Sequence, residues 1–227
     1  MTGRKQREAG SAETGTAPRV SHATGDRFPG FNVLDQAGHW DPVTAGVVLS
    51  RVGRPPDIRF FTPAEEAAAT ALCDRLLGQD DEPKVEVVPQ IDARLAEEQT
   101  DGWRYADMPE DGQAWRDSLR FLDEDSQAAC SREFARATAE DQRAVMQAVQ
   151  DAGAKDWHGL NAAHVWSLWT RYACTAFYAH PSAWNEIGFP GPAYPRGYKN
   201  PGVDAREPFE VADAHPASDP VRGGDSR

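Results

Sequence analysis

Asn161-Ala-Ala-His-Val-Trp-Ser-Leu-Trp-Thr-Arg-Tyr-Ala-Cys-Thr-Ala-Phe-Tyr-Ala179 is the stretch whose reading decides the fold. Val165, Trp166, Leu168, Trp169, Tyr172, Ala173, Ala176 and Phe177 recur at helical spacing and spread over more than one face. That distribution predicts a central helix, enclosed by its neighbours or covered by something outside the chain. The Trp166 and Trp169 pair has the spacing of a core stripe rather than of a binding surface.

Working outward, the preceding segments supply the partners such a helix needs. Thr138 caps a predicted helix to about Ala152, with Val145, Met146 and Val149 inward. From Asp111 to about Ser126, Trp115, Leu119 and Leu122 repeat at i, i+4, i+7, the mark of an amphipathic helix. Another is predicted from about Pro89 to Gln99, with Val88, Ile91 and Leu95 on one side and Arg94, Glu97 and Glu98 on the other. Thr62-Pro63-Ala64-Glu65 combines a capping threonine, a proline suited to the first helical position and a glutamate that completes a capping box. That helix should run to about Leu77 and stop at Gly78, with Ala69, Leu72, Cys73 and Leu76 at core spacing, which makes Cys73 a small buried thiol. Strand signals are confined to a brief Val85/Val87 alternation and to Ala45–Val52, which reads better as a short helix after Asp41-Pro42. About five helices with short connections predict an all-α domain.

Composition narrows the function classes. The chain has 227 residues and a net charge of −12, which argues against nucleic-acid binding, because phosphate neutralisation needs clustered Lys and Arg. Three cysteines, none in a Cys-x-x-Cys pair, exclude a disulfide scaffold, a cysteine-only zinc site and a covalent c-type haem. No apolar run reaches the length of a membrane span. Residues 1–26 are Gly-, Ser-, Thr- and Ala-rich, and residues 199–227 are acidic and poor in apolar bulk, so both are expected to be disordered tails around a domain at 27–198.

One segment does not fit a bundle. From Ser182 to Tyr198, prolines at 190, 192 and 195 and glycines at 188, 191 and 197 predict an extended or turning chain. Trp184, Ile187, Phe189, Tyr194 and Tyr198 are too apolar for a solvated loop, so the segment should lie against its own bundle or against a partner. Glu186 and Arg196, flanked by aromatics, are candidates for charge-assisted hydrogen bonds in either setting.

The block from Phe177-Tyr178 through His180-Pro, Ala183-Trp-Asn-Glu-Ile-Gly-Phe and Gly191-Pro-Ala-Tyr-Pro-Arg-Gly-Tyr198 closely resembles the C-terminal block of the gluconate 2-dehydrogenase subunit 3 family. Arg27-Phe-Pro-Gly-Phe-Asn-Val-Leu34, Phe60-Phe-Thr-Pro-Ala-Glu65, Ile91-Asp92 and Gly102-Trp-Arg-Tyr-Ala-Asp-Met-Pro109 resemble family positions in the same order. The resemblance implies a small helical subunit of an FAD-dependent dehydrogenase complex, paired with a large flavoprotein of the glucose–methanol–choline oxidoreductase type that oxidises sugars or related alcohols. It implies a non-catalytic chain, with FAD in the partner and no cofactor or metal of its own. The expected contacts are an N-terminal arm, with Phe28, Pro29 and Phe31, and a C-terminal arm, with His180, Trp184, Asn185, Glu186, Ile187, Phe189, Tyr194, Arg196 and Tyr198. Some family complexes are exported by a twin-arginine signal on the small subunit. Here Arg4, Lys5 and Arg7 form no such signal, so the expected location is cytoplasmic, or extracytoplasmic if the partner carries a signal.

The residues themselves carry little chemistry beside that reading. No Gly-x-Gly-x-x-Gly turn is present to cradle a dinucleotide. His158 and His164 have no ordinary zinc spacing, and a stand-alone metal-dependent hydrolase built on them is the weaker alternative. Local hydrogen-bonding roles suit both better, and His180 suits a role in fixing the helix exit before Pro181. A flavoprotein-specific folding or export chaperone is the other alternative to a permanent subunit.

Overall fold

The computed structural model describes residues 27–200, 202 and 205–217, so the tail expected at 1–26 lies outside the described residues. Among the described residues the fold is all-α, with one two-stranded hairpin. The helices are α1 (Pro42–Ser50), α2 (Pro63–Leu76), α3 (Val88–Ala96), α4 (Asp111–Cys130), α5 (Ala139–Ala152), α6 (Ala162–Tyr178) and α7 (Pro181–Ile187). Short 3-10 turns occupy Val33–His39 and Phe134–Arg136, and the hairpin pairs β1 (Asp156–Trp157) with β2 (Leu160–Asn161).

The five expected helices form the bundle, for the local reasons the sequence carries. At the start of α2, Thr62 Oγ1 accepts from the Glu65 N–H at 3.3 Å while Glu65 Oε2 accepts from the Thr62 N–H at 2.8 Å. Two of the orphan donors at the helix start are thereby satisfied. Thr138 and Asn161 cap α5 and α6 without the reciprocal bond, their side chains accepting from the N–H groups of Asp141 and of Ala163 and His164. α6 packs against α2, α3, α4 and α5, which places Trp169 and Tyr172 in the centre with Trp115, Leu72 and Phe134. The Trp169 indole N–H donates to Ser118 Oγ at 2.9 Å, so the buried ring keeps its hydrogen bond. Cys73 is fully buried, and burial drives its thiol pKa well above the ordinary range.

Asp92, with no exposure, collects the backbone N–H groups of Arg59, Phe60 and Phe61 at 2.7, 2.9 and 2.8 Å. Three converging donors compensate the buried carboxylate and fix the approach to α2. The Val85/Val87 alternation forms no strand. Its ladder partner is a side chain: the buried Gln79 amide accepts from the Val85 N–H at 2.7 Å and donates to the Val85 carbonyl at 3.1 Å. The hairpin was not expected, because its two-residue turn is His158-Gly159 rather than Asn-Gly. Both residues have positive φ, +51° and +88°, as a primed turn requires. The Trp157 indole N–H donates to Asp125 Oδ2 at 2.8 Å, which ties the hairpin to α4.

Two findings correct the expectation for the ends of the domain. The segment after His180 is not extended from its beginning: Pro181–Ile187 is helical. Pro181 sits at the first helical position, where its missing N–H is no loss, and the breaking prolines start only at 190. Gly188, at φ +66°, then ends the helix in the left-handed region. Within the stretch expected as an acidic tail from 199, Ala214 N–H donates to the Arg27 carbonyl at 2.8 Å, Asp213 forms an ion pair with Arg27, and Phe209 lies under the Arg196 guanidinium at 3.9 Å.

Candidate partner-binding surface

The two arms fold on one another. Val33, Trp40 and Val48 from the N-terminal side and Trp184 from α7 form a small core separate from that of the bundle, with Phe31 and Leu34 packed against it. The Val33 N–H donates to Asn185 Oδ1 at 2.7 Å, and the Arg196 guanidinium donates to Gln36 Oε1 at 2.8 Å. Close approach explains the glycines at the crossing: a Cβ on Gly188 would lie 2.5 Å from the Phe28 ring, and one on Gly191 would lie 2.6 Å from the Trp40 ring. The arm layer attaches to the bundle at the end of α6. There the Arg51 guanidinium donates to the Ala179 carbonyl at 2.9 Å, and the Trp184 indole N–H donates to the Tyr178 carbonyl at 2.6 Å.

The expected contact residues therefore separate into two groups. Trp184 is only 6 % exposed and holds the layer together, with the Phe189 ring edge-on at 5.3 Å. Asn185 and Arg196 bind the opposite arm, and Phe28 and Phe31 are partly buried beside them. His180 caps α7, its Nδ1 accepting from the Ser182 N–H at 3.2 Å. Burial pulls its pKa below that of an ordinary histidine. Glu186 is half-buried, and that burial pushes its carboxyl up to about 7. Pro29, Ile187 (52 % exposed), Phe189, Tyr194 (67 %) and Tyr198 face outward.

Sequence reading missed a further part of this surface. α1 carries no charged side chain between Pro42 and Ser50, and it buries Val48 while leaving Val43 (75 % exposed), Val47 and Leu49 on the outside. A helix apolar on all sides belongs in an interior. The absence of charge was the available signal. Among the described residues, the large exposed apolar side chains concentrate here: besides Trp103 and Tyr105, all lie in the arm layer or at its junction with α6. A soluble monomer rarely leaves so many large apolar side chains of one region uncovered.

Elsewhere the two candidate histidines are committed to neighbours. His164 Nδ1 lies 2.8 Å from Asp107, while His158 Nε2 lies 2.8 Å from Asp125, so the two histidines serve different carboxylates. No group of three or more His, Cys, Asp or Glu side chains converges as a metal site among the described residues. A cleft of about 310 Å³ between α3, α6 and the arm layer is lined by Arg51, Lys84 and Arg94. Lys84 is paired with Asp74 at 2.6 Å, Arg94 with Asp101 at 2.8 Å, and Arg51 with a carbonyl, so the cleft presents no uncommitted cationic cluster for an anion. No helix among the described residues is long and apolar enough to cross a membrane.

The sequence model of one family, described as gluconate 2-dehydrogenase subunit 3, matches residues 63–191, more than half of the chain. The match takes in the bundle, α7 and the start of the C-terminal arm. No curated protein and no solved structure matches the chain.

Proposed function

From the premise that this chain belongs to the gluconate 2-dehydrogenase subunit 3 family, a family of subunits of an oxidoreductase complex, we propose that it is the non-catalytic small subunit of an FAD-dependent sugar or alcohol dehydrogenase. It binds and stabilises a large flavoprotein of the glucose–methanol–choline type. The observation that carries this reading is the crowding of exposed apolar side chains onto one thin layer of an otherwise charged protein. Burial of that layer against a partner removes its apolar area from water and supplies the driving force for assembly. FAD and the oxidation chemistry reside in the large subunit.

The test is co-expression with that flavoprotein, using wild type and the double variant Ile187→Asp with Tyr194→Asp. Both positions are exposed, so the variant should fold with an unchanged thermal midpoint yet fail to co-purify. Wild type should elute with its partner in a fixed ratio, which a departing chaperone would not do. A chain that carries FAD or oxidises sugars unaided would overturn the auxiliary role, and assembly unaffected by the double variant would place the interface elsewhere.

A further inference from the structure

The Gly102–Pro109 motif has no part in the arm layer, yet it holds the two remaining exposed large aromatics, Trp103 (51 % exposed) and Tyr105. Neither is a loose loop side chain. Tyr105 lies flat on His164, with ring centroids 3.6 Å apart and planes 4° from parallel, and Asp107 grips the same imidazole at 2.8 Å. Trp103 stands edge-on to Tyr105 at 5.5 Å, with the Arg171 guanidinium 5.1 Å from its ring. Arg171 is itself held by Asp101 and Asp111. Both rings are thus fixed in place before anything binds, which lowers the entropic cost of using them as contacts.

His164 and Arg171 belong to α6, and their positions on it decide what the motif is for. At helical spacing His164, Arg171, Thr175 and Tyr178 fall on one face, the outward one. Tyr178 is exposed at the end of that face, where the arm layer begins. The motif and the arm layer are therefore the two ends of one strip, about 20 Å apart along the helix at 1.5 Å per residue. Taken over the motif, Tyr178, the arm layer and α1 together, the exposed large apolar and aromatic side chains sum to on the order of 1,000 Å², at roughly 150–250 Å² for each large side chain scaled by its exposure. That total is of the size of the ~800 Å² per partner of a stable interface.

We propose that Trp103 and Tyr105 are a second docking point for the large subunit, so that the partner lies along the outward face of α6 from the Gly102–Pro109 loop to the arms. The inference rests on the subunit reading above. It requires of the partner a mostly apolar groove of that length, with acceptors for an indole N–H and a phenol O–H. Continuity with the arm layer and the total area favour one large partner over two small contacts.

Hydroxyl-radical footprinting of the free chain and of the purified complex, with Trp103→Ala/Tyr105→Ala as the companion variant, tests this. Trp103 and Tyr105 should oxidise readily in the free chain and be protected in the complex. The double variant should stay folded, with a thermal midpoint only several degrees below wild type for the lost ring contacts, while its affinity for the flavoprotein falls at least tenfold. A complex in which both residues oxidise as in the free chain overturns the proposal, as does an unchanged affinity. If Ile187→Asp with Tyr194→Asp abolishes assembly and the loop variant does not, this inference fails and the subunit reading stands. If wild type never binds the flavoprotein, both fail. Protection of Trp103 in the pure chain through self-association would make a second copy the occupant and also overturn it.

Discussion

Replacement of Trp184 by alanine separates the two roles that the arm residues can play. The indole is nearly enclosed by Val33, Trp40 and Val48, and its N–H donates to the Tyr178 carbonyl. Enclosing roughly 200 Å² of ring at about 25 cal/mol/Å² corresponds to ~5 kcal/mol, and observed costs of Trp→Ala in cores are about 3–5 kcal/mol. The lost hydrogen bond adds little, because the end of α6 is close to water. The Trp184 cluster is separate from the bundle core, so the loss should fall first on the arm layer as local opening rather than on the whole molecule. Native-state hydrogen exchange measures this. Amides of Val33 and Phe189 should lose two to three powers of ten in protection, at about 1.4 kcal/mol per tenfold, while those around Leu119 and Trp169 change little. Equal loss in both sets would show a single cooperative unit, and a change below tenfold in the arms would refute the assignment of Trp184 to their core. For the same reason failed assembly of Trp184→Ala would not locate an interface, which is why the binding tests use exposed positions.

Two further outcomes follow from the same layer. Glu186 has its folded pKa raised to about 7 by burial, so its contribution is fully present below the unfolded value near 4.5 and is lost as pH rises through about 7. Discounted for its half exposure, the effect is ~1 kcal/mol, and Glu186→Gln should gain that much on wild type between pH 4.5 and 8 in the opening free energy of the arm layer read by hydrogen exchange. His180, its pKa lowered by burial, acts in the opposite direction, with stability lost as pH falls below about 6.5; a Gln variant whose advantage does not grow with pH removes the assigned cause. Gly188→Ala meets both a left-handed backbone and the Phe28 ring, and should lower the protection of the Val33 and Phe189 amides by roughly one to two powers of ten, about 1–3 kcal/mol. Unchanged protection would mean that the two arms do not cross at this point.

The bundle was legible because its helices write their own buried faces and three of them, α2, α5 and α6, their own starts. Thr62, Thr138 and Asn161 are caps recognisable at short range, and Trp115, Leu119 and Leu122 declare a face without knowledge of what covers it. The arm layer lacked such signals. Its core is assembled from residues as far apart as Val33 and Trp184, one or two from each short element, so no periodicity within a window records it. Trp184, Asn185 and Arg196 read equally as anchors for a partner or as ties to the chain itself, and the ties to the chain itself appear only with the geometry of the opposite arm. α1 was ambiguous for a related reason. Nine residues without a charge say that something must cover them, but a pattern apolar all round does not say which side faces the protein. The docking surface thus became visible only by subtraction: once the arms had enclosed Trp184 and Trp40, the apolar side chains left outside were those of α1, Val52, Tyr178, Ile187, Phe189, Tyr194, Tyr198 and the Trp103 loop. Anchors that a sequence ranks highest by size are the ones a fold is most apt to use for itself, and the surface left to a partner is made from the smaller and more peripheral remainder.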